Sequence, residues 1–172
     1  QSGARAVYTN ANKTKRSGAE LSVDSRFSNN LSVNLAYTLL NAKFDSDFRN
    51  SSGGLIASGN RIPGTYRSQV YGEVVWKYDP VGFHAALEAR HNSKVYVDDF
   101  NSDTAPSFTV YNLRAGFNQN ARGWRFSEYL RVENLSDKEY IASVRINDTQ
   151  SRFFEPATDR NYLLGLSASY QF

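Results

Sequence analysis

Apolar and polar residues alternate at every second position over stretches far longer than an ordinary strand, and this period decides the fold class. Leu31, Val33, Leu35, Tyr37 and Leu39 are apolar, with Ser32, Asn34 and Thr38 between them. Leu21, Val23 and Phe27 oppose Glu20, Ser22, Asp24 and Arg26, and Val70, Gly72, Val74, Trp76 and Tyr78 oppose Tyr71, Glu73 and Lys77. The pattern returns with Phe83, Ala85, Leu87 and Ala89 against His84, Glu88 and Arg90, and with Tyr111, Leu113, Ala115 and Phe117 against Asn112, Arg114 and Asn118. Trp124, Phe126, Leu130 and Val132 oppose Arg125, Ser127, Arg131 and Glu133, with Glu128 as a charged exception on the apolar side. Tyr162, Leu164, Leu166, Ala168, Tyr170 and Phe172 oppose Gly165, Ser167, Ser169 and Gln171. No comparable helical stripe is present, so the period predicts an all-β, antiparallel up-and-down meander of seven long strands, at 4–27, 31–44, 65–78, 83–96, 107–119, 124–146 and 158–172.

Strands of globular proteins run about 5 to 6 residues, and these run past ten. Their connections alternate in length. Residues 28–30, 79–82 and 119–123 read as tight turns, whereas 45–64, 97–106 and 147–157 are long and polar. Short turns at one end and long loops at the other are the layout of an outer-membrane barrel. Alternation alone suits a soluble sandwich equally, since only the medium facing each side differs. Tyr37, Phe44, Tyr66, Tyr78, Phe83, Tyr96, Phe117, Trp124 and Tyr140 lie near strand ends and read as interfacial girdles.

Composition removes other classes. The 172 residues include neither Cys nor Met, which excludes disulfides, thiolate metal sites and thiol nucleophiles. A net charge of +3 dispersed along the chain makes no basic stripe, so nucleic acid is excluded as a partner. No apolar run reaches the ~18 residues of a spanning helix, and Gln1 does not open a signal peptide. Seven strands are odd in number, whereas bacterial barrels have an even number and leave no open edge to lipid. The chain is therefore expected to be part of a larger barrel, its first and last strands unpaired at opposite edges.

Several motifs resemble those of TonB-dependent outer-membrane receptors of the siderophore-receptor type. Tyr8-x-Asn10 with Gly18-Ala19-Glu20 resembles the family's "Y-x-N … G-V-E" strand, Ala19 replacing the usual Val. Ala36-Tyr37-Thr38 is followed by Arg61-Ile62-Pro63-Gly64, similar to an "R-I-P-G" strand entry. Tyr96-Val97-Asp98-Asp99-x-Asn101 precedes Phe108-Thr109-Val110-Tyr111-Asn112-Leu113-Arg114. Val132-Glu133-Asn134-Leu135-Ser136-Asp137-Lys138-Glu139-Tyr140 resembles the "N-L-x-D-x-x-Y" signature, and Glu155-Pro156-Ala157-x-x-Arg160-x-Tyr162 leads into the last strand. The resemblance implies that residues 1–172 are the C-terminal portion of a transmembrane β-barrel of about 22 strands, the plug domain and earlier strands lying outside them. It implies a bacterial outer-membrane location and energised uptake of a metal chelate, most often a ferric siderophore. The implied partners are outer-membrane lipid, the chelate, the plug and through it TonB, and the barrel assembly machinery.

The polar face supplies candidate lumen- and plug-facing residues: Glu20, Arg26, Glu73, Glu88, Arg90, Arg114, Arg131 and Glu133. Charges turned into a wet cavity are far less costly than charges in lipid. Candidate ligand-binding residues are Arg49, Arg61, Arg152, Phe153 and Phe154 of the long loops, because Arg grips oxygen anions bidentately and aromatics stack on chelates. Tyr170 and Phe172 resemble the terminal signal read during barrel assembly. Asp99-x-Asn101-x-Asp103 imitates the opening of a calcium loop, but Thr104 and Val110 stand where Gly and Glu are required, so an EF-hand is excluded. His84 and His91 fall on opposite faces of one strand and cannot pair on a metal. No nucleophile elbow, His-x-x-x-His or phosphate-cradling loop is present. No catalytic residue, resident metal or cofactor is assigned. Two readings from other classes stay open: an outer-membrane barrel enzyme, and a soluble antiparallel β binding protein with Leu35, Leu87, Leu113 and Leu166 in its core.

Overall fold

The computed structural model describes residues 13–171. Its strands are β1 (Thr14–Arg26), β2 (Leu31–Phe44), β3 (Phe48–Arg49), β4 (Leu55–Ile56), β5 (Ser68–Tyr78), β6 (Phe83–Asn92), β7 (Val95–Tyr96), β8 (Thr104–Ala105), β9 (Phe108–Ala121), β10 (Trp124–Glu133), β11 (Ile141–Val144), β12 (Phe154–Pro156) and β13 (Asn161–Tyr170). The seven long ones form a single antiparallel sheet in the order β1-β2-β5-β6-β9-β10-β13, with β1 and β13 at its open edges. The short ones pair as three small hairpins within the long loops. Residues 4–12 of the first expected strand, the Tyr8-x-Asn10 motif and Phe172 lie outside the described residues.

Register turns the alternation into two faces. Val23↔Leu35, Leu35↔Gly72, Val74↔Leu87, Leu87↔Leu113 and Leu130↔Leu164 stack the apolar positions of all seven strands on one side. Among the described residues nothing covers that side: Tyr162, Leu164 and Leu166 are 66%, 68% and 73% exposed. Of the residues expected to fill a soluble core, Leu35 and Leu87 are exposed with Leu166, and no second sheet lies over them among the described residues. Glu128 shares this face, between Phe117 and Leu166.

The turns fall where the sequence predicts them, the first one residue longer than expected, the second as expected and the third shorter. Ser28 Oγ accepts the N–H groups of Asn30 and Leu31 in the first. A 3₁₀ turn at Asp79–Val81 makes the second, closed by Gly82 at φ 68°. The third, expected across 119–123, is only Arg122 and Gly123, both at positive φ (50° and 85°), the backbone that a tight two-residue hairpin requires. Beside the turns runs the aromatic band: Trp76 meets Tyr78 and Phe83, Phe83 meets Phe117, and Trp124 meets Phe126 and Tyr170, with ring centroids 5.1–6.3 Å apart. At the loop end the expected girdle differs. Phe44 is buried against Phe48, and Tyr140 stacks on Phe108 at 4.4 Å. These rings fill a small core beneath the loops, which also buries Ala42, Ile56, Val95, Val97, Ala105 and Val110.

Three strands end sooner than the alternation suggests. Ser93 Oγ accepts the N–H groups of Arg67 and Ser68, occupying donors that would extend the β5–β6 ladder. β10 stops at Glu133 because Asn134 adopts φ 52° and its amide binds both the N–H and the C=O of Lys138. Asp137 then accepts the Arg160 N–H and pairs with its guanidinium at 3.1 Å. The Asn-Leu-Ser-Asp segment is thus a strand terminator that staples the departing chain to the returning one.

Candidate functional site

The polar face carries one continuous ionic network across five neighbouring strands. Arg131 on β10 forks onto Glu88 on β6, both Nη atoms lying 3.0 Å from the carboxylate oxygens, and its Nε donates to Glu133 at 3.0 Å. Arg114 on β9 donates to Glu73 on β5 at 3.2 Å and stands 4.0 Å from Glu88. Asn112 adds a bond to Glu88, and Asn34 on β2 and Tyr71 each add one to Glu73. Bidentate and shared contacts of this kind are the strong class of charged hydrogen bond, and here they fix side chains on the wall itself. Below the network lies a cleft of about 780 Å³ lined in part by Lys77, His84, Asn118, Ser127 and Tyr129. Tyr129 lies across Gly165, where a Cβ would stand 2.2 Å from its ring. All eight residues expected on this face share it by register. Glu73, Glu88, Arg114, Arg131 and Glu133 are brought together, while Arg90 lies over the Phe108 ring, and Glu20 and Arg26 sit opposite Thr38 and Ser32 outside the network.

The long loops are knit into one layer. Arg61 N–H donates to Asn101 Oδ1 at 2.8 Å, and Asn101 Nδ2 returns to Arg61 C=O at 2.9 Å. Asn147 does the same with Asp99, its Oδ1 accepting the Asp99 N–H and its Nδ2 donating to the carboxylate, each at 3.0 Å. Asn60 reaches Asp99 C=O, Gly64 N–H reaches Tyr96 C=O, and Asn147 N–H reaches Val97 C=O. Asn101 and Asn147 stand at φ 58° and 55°, a backbone that Asn tolerates better than most residues. The sequence marks Asn101 only as part of a motif and of an incomplete calcium loop, and Asn147 only as the start of a long polar loop, although Asn beside Ser or Asp was the available turn signal. Gly64 of the Arg-Ile-Pro-Gly segment, at φ 71°, packs so closely on Ile146 that a Cβ would come 2.5 Å from it. Burial pushes the Asp99 carboxyl up from its ordinary range, against the opposing effect of the Asn147 bond.

The expected ligand-binding residues separate. Arg152, Phe153 and Phe154 lie together on the third loop, the two rings 6.3 Å apart and Phe154 39% exposed. Arg152 faces Asp148 at 3.9 Å. Arg49 closes the first hairpin by donating to Gly53 C=O at 2.7 Å. Arg61 is set elsewhere: it bridges Lys43 on the apolar side of the sheet, and its guanidinium donates to Leu40 C=O and Asn41. Tyr170 packs on Trp124 at the opposite end. His91 faces the apolar side beside Thr109, and His84 the polar side beside Asn118. No group of three or more potential metal ligands converges among the described residues.

This arrangement agrees with comparison to known proteins. The family model described as "TonB dependent receptor-like, beta-barrel" matches residues 1–135. A curated relative, the probable TonB-dependent siderophore receptor PiuA of Acinetobacter baumannii, is 24% identical over 169 residues, covering 95% of this chain and 22% of the relative. The chain thus spans about a fifth of that protein's length. The crystal structure of PiuA superimposes with a TM-score of 0.74 at 23% identity, over 89% of this chain and 21% of that one. The ferric yersiniabactin uptake receptor FyuA of Yersinia pestis gives 0.69 at 22% identity, over 95% and 24%. BauA, the ferric preacinetobactin receptor of A. baumannii, gives 0.71 at 17%, over 90% and 22%. At these identities the superpositions establish a shared fold.

Proposed function

The chain belongs to the TonB dependent receptor-like β-barrel family, and from that premise we propose that it is the C-terminal portion of the barrel wall of an outer-membrane receptor for energised uptake of a ferric siderophore. The family is one of receptors, not of enzymes. One observation carries the reading: a single-layer sheet with an uncovered apolar face and an ion-paired polar face, which is a wall between lipid and a polar lumen. That PiuA is a probable siderophore receptor, FyuA a ferric yersiniabactin uptake receptor and BauA a ferric preacinetobactin receptor supports a siderophore as cargo.

In this reading the Glu73, Glu88, Arg114, Arg131 and Glu133 network faces a plug carried by another part of the protein, with the cleft beneath it as plug-facing space. Coupling to TonB would run through that plug. Arg152, Phe153 and Phe154 of the third loop, and separately Arg49 of the first, are the candidate chelate contacts, since a guanidinium and aromatic rings suit an anionic, planar ligand. Tyr170 and Phe172 serve as the terminal signal for barrel assembly.

The test uses the full-length protein in a bacterial strain that lacks its other siderophore receptors. Radiolabelled iron uptake from a panel of ferric catecholates and hydroxamates should depend on the gene and on the proton-motive force. The double variant Arg152→Ala/Phe154→Ala should lower uptake at least 10-fold at unchanged surface abundance. Uptake of every chelate independent of the gene would overturn the reading.

A further inference from the structure

Glu128 is a charge to which the wall gives no task. Register sets it on the outer face, between Phe117 of β9 and Leu166 of β13. The outward positions of β10 run Trp124, Phe126, Glu128, Leu130 and Val132, so the carboxylate stands at their midpoint. It lies four residues from Trp124, about 13 Å along the strand and, with the tilt of a barrel wall, roughly 10 Å in height above the turn-end rings. An apolar band about 25 Å tall therefore extends past it in both directions. Glu128 is exposed and has no hydrogen-bond or ion-pair partner among the described residues. The other outward charges, Lys15, Lys43 and Arg61, belong to the loop end of β1, β2 and the first long loop, on the far side of the sheet. Beside Glu128 the wall is low. The rung Ala85↔Ala115 lies between Phe83↔Phe117 and Leu87↔Leu113, and Ala115 is diagonal to Glu128, so a shallow furrow of small side chains leads away from the carboxylate.

We propose that Glu128 is a docking site within the membrane for a spanning partner protein that presents a Lys or Arg at mid-bilayer depth. The inference rests on the outer-membrane reading above. Charge complementarity identifies the occupant. A charged side chain in hydrocarbon is costly and is found there chiefly where it meets an opposite charge or a wet cavity, and the described part of this wall supplies neither at that depth. Head-group amines of lipid lie about 10 Å away, beyond the reach of a Glu side chain, whereas a spanning segment can deliver a basic side chain at the same height. The Ala85–Ala115 furrow lets the backbone of that segment come close, and small residues at such contacts are what allow spanning segments to pack. Phe117, Phe126 and Leu166 would then surround the ion pair with apolar groups.

The experiment reconstitutes the full-length receptor in phosphatidylcholine vesicles and follows its association with a synthetic Leu-rich helix of about 20 residues by energy transfer between fluorophores. The probe helices carry Lys, Gln or Leu at the central position. The Lys helix should associate roughly fivefold more tightly than the Leu helix, the scale of one polar contact between spanning segments. Glu128→Gln should abolish that preference, and Glu128→Asp should keep part of it. With the charges exchanged, Glu128→Lys should prefer a Glu-centred helix to the Lys-centred one. In cells, a photoreactive side chain at position 166 should give a discrete adduct with a second protein, and Glu128→Gln should remove it. Heat-modifiable migration on gels reports an intact barrel in each variant separately from association. Equal association of the three helices, a Lys preference that survives Glu128→Gln, or the absence of a Glu128-dependent adduct overturns the proposal. Loss of the Lys preference when phosphatidylethanolamine replaces phosphatidylcholine would make a lipid amine the occupant, and a Glu128-dependent adduct between two receptors would make it a second copy. Either result overturns a separate partner protein. Failure of even the wild-type receptor to enter bilayers would instead overturn the outer-membrane reading.

Discussion

The two faces of the sheet are built from the same strands, yet they follow opposite rules. On the outer face, Glu128 and the polar loop end apart, side chains meet mostly apolar neighbours, and the rows from Val23 to Leu164 are largely exposed and interchangeable in kind. On the inner face the partners are individual: Glu88 answers Arg131 with both oxygens, and Glu73 is shared by Arg114, Asn34 and Tyr71. A face solvated by lipid specifies polarity alone, because hydrocarbon offers no directional contact. A face closed over a polar interior specifies atoms, because each buried charge left unpaired has a penalty.

The largest effect should come from moving a charge from one face to the other. Val74→Arg, aimed into lipid at mid-wall, should lower unfolding stability in vesicles by about 2–4 kcal/mol, whereas Val75→Arg one residue on should change it by roughly 1 kcal/mol or less. Similar losses from both would break the distinction. The same comparison can be made with one residue type. Glu88→Gln should cost about 2 kcal/mol by weakening both Arg131 bonds, and Glu128→Leu should be neutral or stabilising by up to about 1 kcal/mol, since it removes a carboxylate from the lipid-facing side. Urea titration of the reconstituted protein reads both signs. If Glu128→Leu destabilises as Glu88→Gln does, the outer face is not lipid-facing at that height.

The loop layer sharpens the contrast from above. Asn101→Ala removes both bonds to Arg61 and leaves a left-handed residue without its side-chain support, and Asn147→Ala does the same toward Asp99. Each should raise hydrogen exchange across all three loops by the equivalent of about 1–2 kcal/mol, with the strands unaffected. Exchange rising in one loop only would show that the layer is not a unit. A smaller effect follows from acid. The Arg160 N–H and guanidinium hold Asp137 below its ordinary value, the Gln150 and Arg152 N–H groups do so for Asp148, and the Ser143 hydroxyl and Arg145 for Glu155. A depressed folded-state pKa gives stability that is present above the unfolded values of 3.8 and 4.5 and is lost as pH falls through the lower folded ones. Loop exchange should therefore rise on acidification below about pH 4.5, and a rise between pH 6 and 8 instead would contradict this origin.

Much of this was readable in the sequence, and what escaped has a common cause. Period two marked every long strand, and the polar positions it picked out, from Glu73 to Glu133, share the inner face. The strand ends at Asn92 and Glu133 were hidden because alternation runs on into β7 and β11, while what stops the ladders is hydrogen bonding by Ser93 and Asn134. Phe44 and Tyr140 read as girdle aromatics because a sequence cannot show that loops fold back over one face. Arg61 read as a loop cation, and only its bridge to Lys43 sets it on the outer side. Asn101 and Asn147 act across 40 and 48 residues of chain, a distance at which local pattern carries no information.

The central claim is that the apolar face meets lipid and the polar face does not. These 172 residues contain no Cys, so single thiols introduced at positions 163, 164, 166 and 167 of β13 in the full-length protein can each carry a fluorophore. In vesicles, a quencher dissolved in the bilayer should strongly quench the labels at 164 and 166 and spare those at 163 and 167. Quenching of all four alike, or of 163 and 167 in preference, would contradict the account.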